Sequence, residues 1–326
     1  MNPPAASSRE GTPPVRVGIS ACLLGQEVRF DGGHKRDRYI TDTLGQFFEW
    51  VPVCPEVEMG LGTPRETLRL LGDPGGPRLI FAKTGEDQTE HMQAWADSRL
   101  RQLTRADLSG YILKSDSPSC GMERVRVYRS SGIPGKDGVG IYARLLMERF
   151  PLLPVEEEGR LHDLPLRENF VERVFCYRRW QELEASGITR GKLVAFHAAH
   201  KFLMLAHSPK HYTELGRLVA AAGQHSIREL GSRYGALFMA GLKVKATAKK
   251  HTNVLEHILG YLKKELDSRD KAELLSVIRD YYEGLVPLVV PLTLFKHHLA
   301  RIPVPYIQNQ VYLSPHPKEL MLRNHV

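Results

Sequence analysis

The chain has 326 residues, enough for two domains with separate cores, and 42% of them are hydrophobic. Its formal net charge is +8, and residues 161–326 carry 24 Lys and Arg against 15 Asp and Glu, so the basic surplus lies there and the first 160 residues are near neutral. No apolar run reaches bilayer length and the N-terminal stretch has no apolar signal region, so the expectation is a cytoplasmic protein with no membrane association and with reduced thiols. Residues 1–14, rich in Pro, Ser and Gly, predict a disordered tail. Residues 15–21 read as a short strand, followed by the loop Arg29-Phe-Asp-Gly-Gly33 and a segment, 41–50, that predicts a helix. Residues 51–54 predict a second strand. The runs 68–71 and 78–82 flank Gly72-Asp-Pro-Gly-Gly76 and predict a hairpin. Met92, Trp95, Ala96, Leu100 and Leu103 are spaced for one face of a helix over 87–105. A strand at 110–114, a helix at 140–150 and a last strand at 152–155 complete a unit spanning 15–157. Strands alternating with helices predict an α/β domain with a Rossmann-like parallel sheet.

The acidic stretch Glu156-Glu-Glu-Gly-Arg160 marks a boundary. Beyond it, over 162–326, the pattern is helical, with candidate helices at 167–185, 189–206, 210–223, 226–246, 248–266, 271–283 and 291–299. Gly and Pro punctuate them. This predicts an all-α second domain, irregular after Pro303.

Cys22, Cys54 and Cys120 each sit where a predicted strand runs into a loop, in Ser20-Ala-Cys-Leu-Leu-Gly25, Val53-Cys-Pro-Glu56 and Ser117-Pro-Ser-Cys-Gly121. In an open α/β sheet the C-terminal strand ends converge on one crevice. Three thiols there are able to hold a metal or an iron–sulfur cluster with one position open, although a lone Cys is more often a small buried hydrophobe. The closely paired ligands of structural zinc sites and ferredoxin spacing are both missing. Cys176 lies inside a helical pattern and reads as core.

The residues around these cysteines carry a resemblance. Ser20-Ala-Cys-Leu-Leu-Gly25 with Arg29-Phe-Asp-Gly32, Val51-Pro-Val-Cys-Pro-Glu-Val57 with Gly60-Leu-Gly-Thr-Pro-Arg65, and Leu113-Lys-Ser-Asp-Ser-Pro-Ser-Cys-Gly121 resemble the thiouracil desulfurase (TudS-like) family over about residues 15–155. The resemblance implies a [4Fe-4S] cluster held by Cys22, Cys54 and Cys120, whose remaining iron takes the sulfur of a thiolated pyrimidine. Phe196-His-Ala-Ala-His-Lys201 with Ala206-His-Ser-Pro209, and the stretch from Tyr306 to Pro317, resemble the YbgA-like domain of unknown function. A chain joining both is similar to the two-domain bacterial desulfidases that act on 4-thiouridine in tRNA. The implied reaction is a non-redox replacement of sulfur by water, giving uridine and sulfide. Two other readings stay open: an enzyme for free thiouracil-type bases, and an iron–sulfur RNA-binding sensor without turnover.

Such a reaction needs a group to activate water. Ser117, three residues before Cys120, and Glu56, two after Cys54, are the candidates, with the resemblance favouring Ser117. Asp31 and Arg29 come from the loop after the first strand and are able to enter the same crevice, or Asp31 only makes a tight turn. Arg65 fits a phosphate or a carboxylate. In the second domain Lys243, Lys245, Lys249, Lys250, Lys263 and Lys264 are expected to contact the phosphates of a tRNA partner. No obligatory protein partner is evident. His197, His200 and His207 share a helix face and read as core or RNA-facing groups rather than a zinc site. Tyr306, Gln308, Gln310 and Tyr312 fit base contacts or an anchor for the C-terminus.

Overall fold

The computed structural model describes residues 14–129 and 133–324. The expected tail, 1–14, lies outside the described residues apart from Pro14. The chain forms two compact units, Met1–His162 and Asp163–Val326.

The first unit holds a parallel sheet of β1 (Val15–Ser20), β2 (Phe48–Val53), β5 (Leu108–Leu113) and β8 (Val155–Glu157), in the order β2-β1-β5-β8. β5 is buried at every position, as a central strand covered on both faces must be. Register aligns the strand ends: Ser20 faces Val53, and Ile19 faces Ile112. The chain steps from β1 to β2 on one side and later to β5 on the other, which makes β1/β5 the switch point where crevices open in such sheets. A second sheet, ordered β4-β3-β6-β7, contains β3 (Leu68–Leu71), β4 (Arg78–Phe81), β6 (Val125–Tyr128) and β7 (Gly135–Gly138). The expected hairpin is present as the antiparallel β3–β4 pair. Helices α1 (Pro55–Glu58), α2 (Thr89–Leu103) and α3 (Ile141–Arg149) complete the unit.

One expectation is corrected here. The segment 41–50 is not one helix: short turns at Tyr39–Thr43 and Leu44–Gln46 bury Ile40 and Leu44, and Phe48 onward belongs to β2. Parallel pairing of the aromatic-rich run Phe48-Glu-Trp with Val15–Val17 outweighs its helical spacing. The acidic stretch at 156–160, expected as a boundary, lies just before the division between the two units. Glu156, Glu157 and Glu158 are buried, and each has a partner: Arg160 Nε at 2.6 Å, the Met122 amide at 2.7 Å and the Ser115 amide at 2.7 Å. Buried carboxylates persist where they are paired.

The second unit is helical: α4 (Leu164–Ala185), α5 (Arg190–His207), α6 (Pro209–Ala220), α7 (Ile227–Lys243), α8 (Ala248–Leu262), α9 (Ser268–Tyr282), α10 (Val289–Arg301) and α11 (Pro305–Gln308). The side chains of Asp163, Thr189, Ser208, Ser226, Thr247 and Asp267 accept hydrogen bonds from backbone amides in the first turns of α4 to α9, so the start of each is written in one residue. Trp180 and Tyr234 stack at 5.5 Å inside this unit, and Phe196 packs on Phe238 at 5.2 Å. No described helix is long and apolar enough to cross a membrane.

Candidate functional site

The ends of β1, β2 and β5 open onto a cavity of about 500 Å³ whose wall includes Cys22, Cys54, Cys120, Glu56 and Ser117. Cys22 follows β1 in the turn Ala21–Leu24, and its carbonyl accepts from Lys35 N at 2.9 Å. Cys54 follows β2 immediately and precedes Pro55, the first residue of α1. Cys120 closes the loop after β5. That loop is fixed by two close approaches: a Cβ on Gly140 would lie 2.5 Å from the Ser119 carbonyl, and one on Gly121 would lie 2.9 Å from the Ser117 carbonyl. Both positions therefore require glycine.

Cys22 and Cys120 are buried and Cys54 is half-buried. Burial, chiefly, pushes the Cys22 thiol up to about 11, with Cys54 adding to the effect and Lys114 opposing it. Burial also raises Cys54 and takes Cys120 well above the usual range. Such thiols stay protonated until a positive centre takes the proton's place. Each of the three follows a different strand and lines the same cavity. A single tetrahedral ion with metal–sulfur bonds of about 2.3 Å would want sulfurs roughly 3.8 Å apart. A cluster presents a different iron to each thiolate and suits wider spacing. The donor set, three thiols with no imidazole or second thiol pair, fits an iron–sulfur group with one open position.

Glu56 is anchored on both oxygens. Arg65 donates to Oε2 from Nε at 2.9 Å and from Nη2 at 2.7 Å, and the Ser119 hydroxyl donates to Oε1 at 2.8 Å. Arg65 is itself held by the carbonyls of Gly62 and Val28. Ser117 Oγ accepts from the amides of Ser119 at 3.3 Å and Cys120 at 3.0 Å. With its lone pairs engaged, Ser117 presents a proton rather than a basic oxygen. Asp31 is absent from the cavity wall. It caps its own turn through Gly33 N at 3.1 Å and faces Arg29 at 3.5 Å, and its carboxylate is about half exposed. Arg29 does line the cavity.

Lys114, Ser115, Asp116 and Ser20 also line the cavity and were not singled out in the sequence. Lys114 bonds Glu158, which in turn accepts from Ser115 N at 2.7 Å and Ser115 Oγ at 2.8 Å. Ser20 Oγ accepts from Lys114 N at 3.0 Å. Their signal was proximity: all four lie in the strand-end motifs that contain Cys22 and Cys120.

In the helical unit, Lys243, Lys245, Lys249, Lys263 and Lys264 are exposed. They form two groups at opposite ends of α8, and a 15-residue helix is about 22 Å long. Lys250 differs, because its ammonium donates to the carbonyls of His207 at 2.7 Å and Lys245 at 3.1 Å. The three histidines of α5 do not converge. His197 meets the Tyr234 hydroxyl, His200 stacks on Phe196, and His207 lies between Glu172 and the Val244 carbonyl. Gln310 bonds Ala198 and Phe202, Gln308 bonds the Leu299 carbonyl, and Tyr312 bonds His251, which anchors the C-terminus. Tyr306 packs on Tyr261 at 5.3 Å.

Residues 17–158 match the family described as 2-thiouracil desulfurase, and residues 201–317 match a family described as a protein of unknown function, DUF1722. The uncharacterized protein YbgA of Escherichia coli (strain K12) is 33% identical over 153 residues, 47% of this chain and 90% of that protein. The uncharacterized protein YbbK of Bacillus subtilis (strain 168) is 35% identical over 108 residues, 32% of this chain and 71% of that protein. A solved structure of the [4Fe-4S]-dependent thiouracil desulfidase TudS shares 30% identity, covering 47% of this chain and 97% of that one, with a TM-score of 0.39.

Proposed function

The chain belongs to the 2-thiouracil desulfurase family and, in its second unit, to the DUF1722 family, and from that premise we propose that it converts 4-thiouridine in tRNA to uridine with release of sulfide, without net electron transfer. The observation that carries this reading is the set of three thiols on one cavity at the ends of three adjacent parallel strands. Cys22, Cys54 and Cys120 hold a [4Fe-4S] cluster. Bound there, the cluster supplies a soft Lewis acid matched to thiocarbonyl sulfur.

The chain's own residues handle position and protons. Ser117 offers its hydroxyl proton to the cavity, where it hydrogen-bonds the pyrimidine or the departing sulfur. Glu56, a carboxylate on the wall, takes a proton from the attacking water. Arg65 and Ser119 keep it in one orientation, so no rearrangement is needed at the moment of reaction. Lys114, locked by Glu158, adds positive charge beside Cys22.

The helical unit supports a tRNA substrate. It carries the basic surplus and exposed lysines, which suit a phosphate backbone, and a small free base needs no such surface. The test is anaerobic cluster reconstitution followed by parallel assays on thiolated tRNA, 4-thiouridine and 4-thiouracil. The expected result is the highest kcat/KM on tRNA, with uridine and sulfide in equal amounts. Turnover of the free base with tRNA left intact would establish the free-base reading. An intact cluster that binds tRNA and turns over none of the three would leave a sensor.

A further inference from the structure

The helical unit contains a second constellation of ligand-type side chains, far along the chain from the cysteines. Asp270 and Glu273 are three residues apart on α9, so they share one face of it. His298 comes from α10, which packs against α9. One ligand atom from each lies within 4.8 Å of the other two. Acidic residues meeting on a helix surface are common and mean nothing alone. His298 is the independent observation. It is 2% exposed, and neither of its ring nitrogens has a hydrogen-bond partner. Its Nδ1 points to Asp270 Oδ2 at 3.8 Å, too far for a hydrogen bond. A buried polar group left in that state is costly and calls for an explanation.

We propose that Asp270, Glu273 and His298 bind one divalent transition-metal ion, with zinc the best match. An imidazole with two carboxylates is a borderline set that suits zinc better than calcium or magnesium. The two carboxylates offset the ion's charge. Among the described residues neither of them pairs with Lys or Arg, so no protein cation holds the place. Asp270 is partly exposed and Glu273 exposed, which leaves an entry path and positions for water. The contrast with the other close triple, Glu168, Glu172 and His316, is instructive. There Arg323 already faces Glu168 at 3.4 Å and Glu172 at 3.7 Å, and a second cation would be repelled. At Asp270 the ion would join α9 to α10 and satisfy His298.

The experiment uses the full chain and Zn²⁺ alone. Free thiolates of the first unit would compete for Zn²⁺, so the readout is a difference between proteins that share them. Wild type, Asp270→Asn, Glu273→Gln and His298→Gln are equilibrated with buffered Zn²⁺, and bound zinc is counted by mass spectrometry. Wild type is expected to exceed each variant by one equivalent. Loss of a ligand should weaken that site by more than the roughly 10–100-fold that loss of an outer-shell partner costs. Glu273→Gln alters an exposed side chain and leaves folding intact, so equal zinc in it and wild type overturns the proposal. Thermal unfolding of the helical signal is the second readout. Zn²⁺ should raise the midpoint of wild type and not of Glu273→Gln, and a rise of the same size in both overturns the site.

Discussion

The hydroxyl of Ser119 donates a 2.8 Å hydrogen bond to Glu56 Oε1, which ties the turn carrying Cys120 to the turn carrying Cys54. The other oxygen of Glu56 is bound by Arg65, whose Nη2 also donates to the Val28 carbonyl, and that carbonyl lies 3.7 Å from Cys54 Sγ. One carboxylate thus connects three segments around the thiols. Substitutions at this point should act on geometry as well as on proton transfer.

The first prediction separates the four cysteines. Cys22→Ala, Cys54→Ala and Cys120→Ala should each abolish iron incorporation and desulfuration, because only these three reach the cavity. Cys176→Ala should do neither, since its thiol is fully buried in α4 with Arg179 as its neighbour. Iron content and cluster absorbance after anaerobic reconstitution decide it. A Cys176→Ala protein without iron would remove the three-thiol assignment.

The second prediction distinguishes Ser117 from Glu56. Ser117→Ala should keep the cluster spectrum and lower turnover by about 10²-fold or more, the scale of a lost proton-transfer group. Glu56→Gln should lower turnover and also destabilise the first unit, because the Arg65 side chain, 5% exposed, keeps its charge and loses its counter-ion. Removing one partner of a well-buried pair costs about 3–5 kcal/mol, and the partial exposure of Glu56 puts this case toward or below the low end. Urea unfolding of both variants is the check, and equal midpoints in Glu56→Gln and wild type would contradict the anchoring role.

A third prediction concerns two adjacent lysines. Lys249→Ala should weaken binding of thiolated and unthiolated tRNA alike and reduce the log–log salt slope by about one unit. Lys250→Ala should instead act mainly on stability, because its ammonium closes the carbonyls of His207 and Lys245. Binding isotherms at several salt concentrations, run beside thermal melts, separate the two. An unchanged melt for Lys250→Ala would return that residue to the phosphate-binding set.

The helical unit should lose stability on mild acidification. Burial depresses His200 and His251 to about 3 and His316 to about 4, all from 6.5. Below pH 6.5 the unfolded chain binds protons at these sites that the folded chain refuses, so stability is full above that pH and falls beneath it. Glu168 opposes this: burial raises it to about 7, and the folded chain takes its proton first. The net difference between pH 6.5 and 4.5 is roughly two protons, or about 3 kcal/mol per pH unit at most. Urea titrations followed by helix circular dichroism at pH 7.5 and 5.5 test the sign. A higher midpoint at pH 5.5 would refute it.

The cysteine motifs were legible because parallel strands must end somewhere, and each Cys was written next to a β-type run and a turn residue. The hairpin at Gly72–Gly76 was legible for the same local reason. Position 48–50 was not. Leu44, Phe47 and Phe48 carry helical spacing while Phe48 and Trp50 carry strand spacing, and pairing with β1, with the Arg16–Glu49 contact at 3.3 Å across the edge, decides for strand. Glu156–Glu158 were legible as a boundary and not as a buried group. Glu156 pairs with Arg160 in the same stretch, but the partners of Glu157 and Glu158, Met122, Ser115 and Lys114, lie far away in sequence and leave no local sign. Lys250 fell on the other side: it looked free for a phosphate and is used by backbone carbonyls, whereas Asp31 takes the tight-turn role that its sequence also offered.

Gly140 lies against the Ser119 carbonyl, beyond the last of the three cysteines in the chain. A nascent polypeptide therefore has all three thiols before it has the residue that shapes their loop. β8, whose end supplies the Glu158 clamp, arrives later still. Completion of the cavity is thus a post-synthetic event for the first unit. The three thiols are synthesised ahead of the residues that shape and clamp the loops around them.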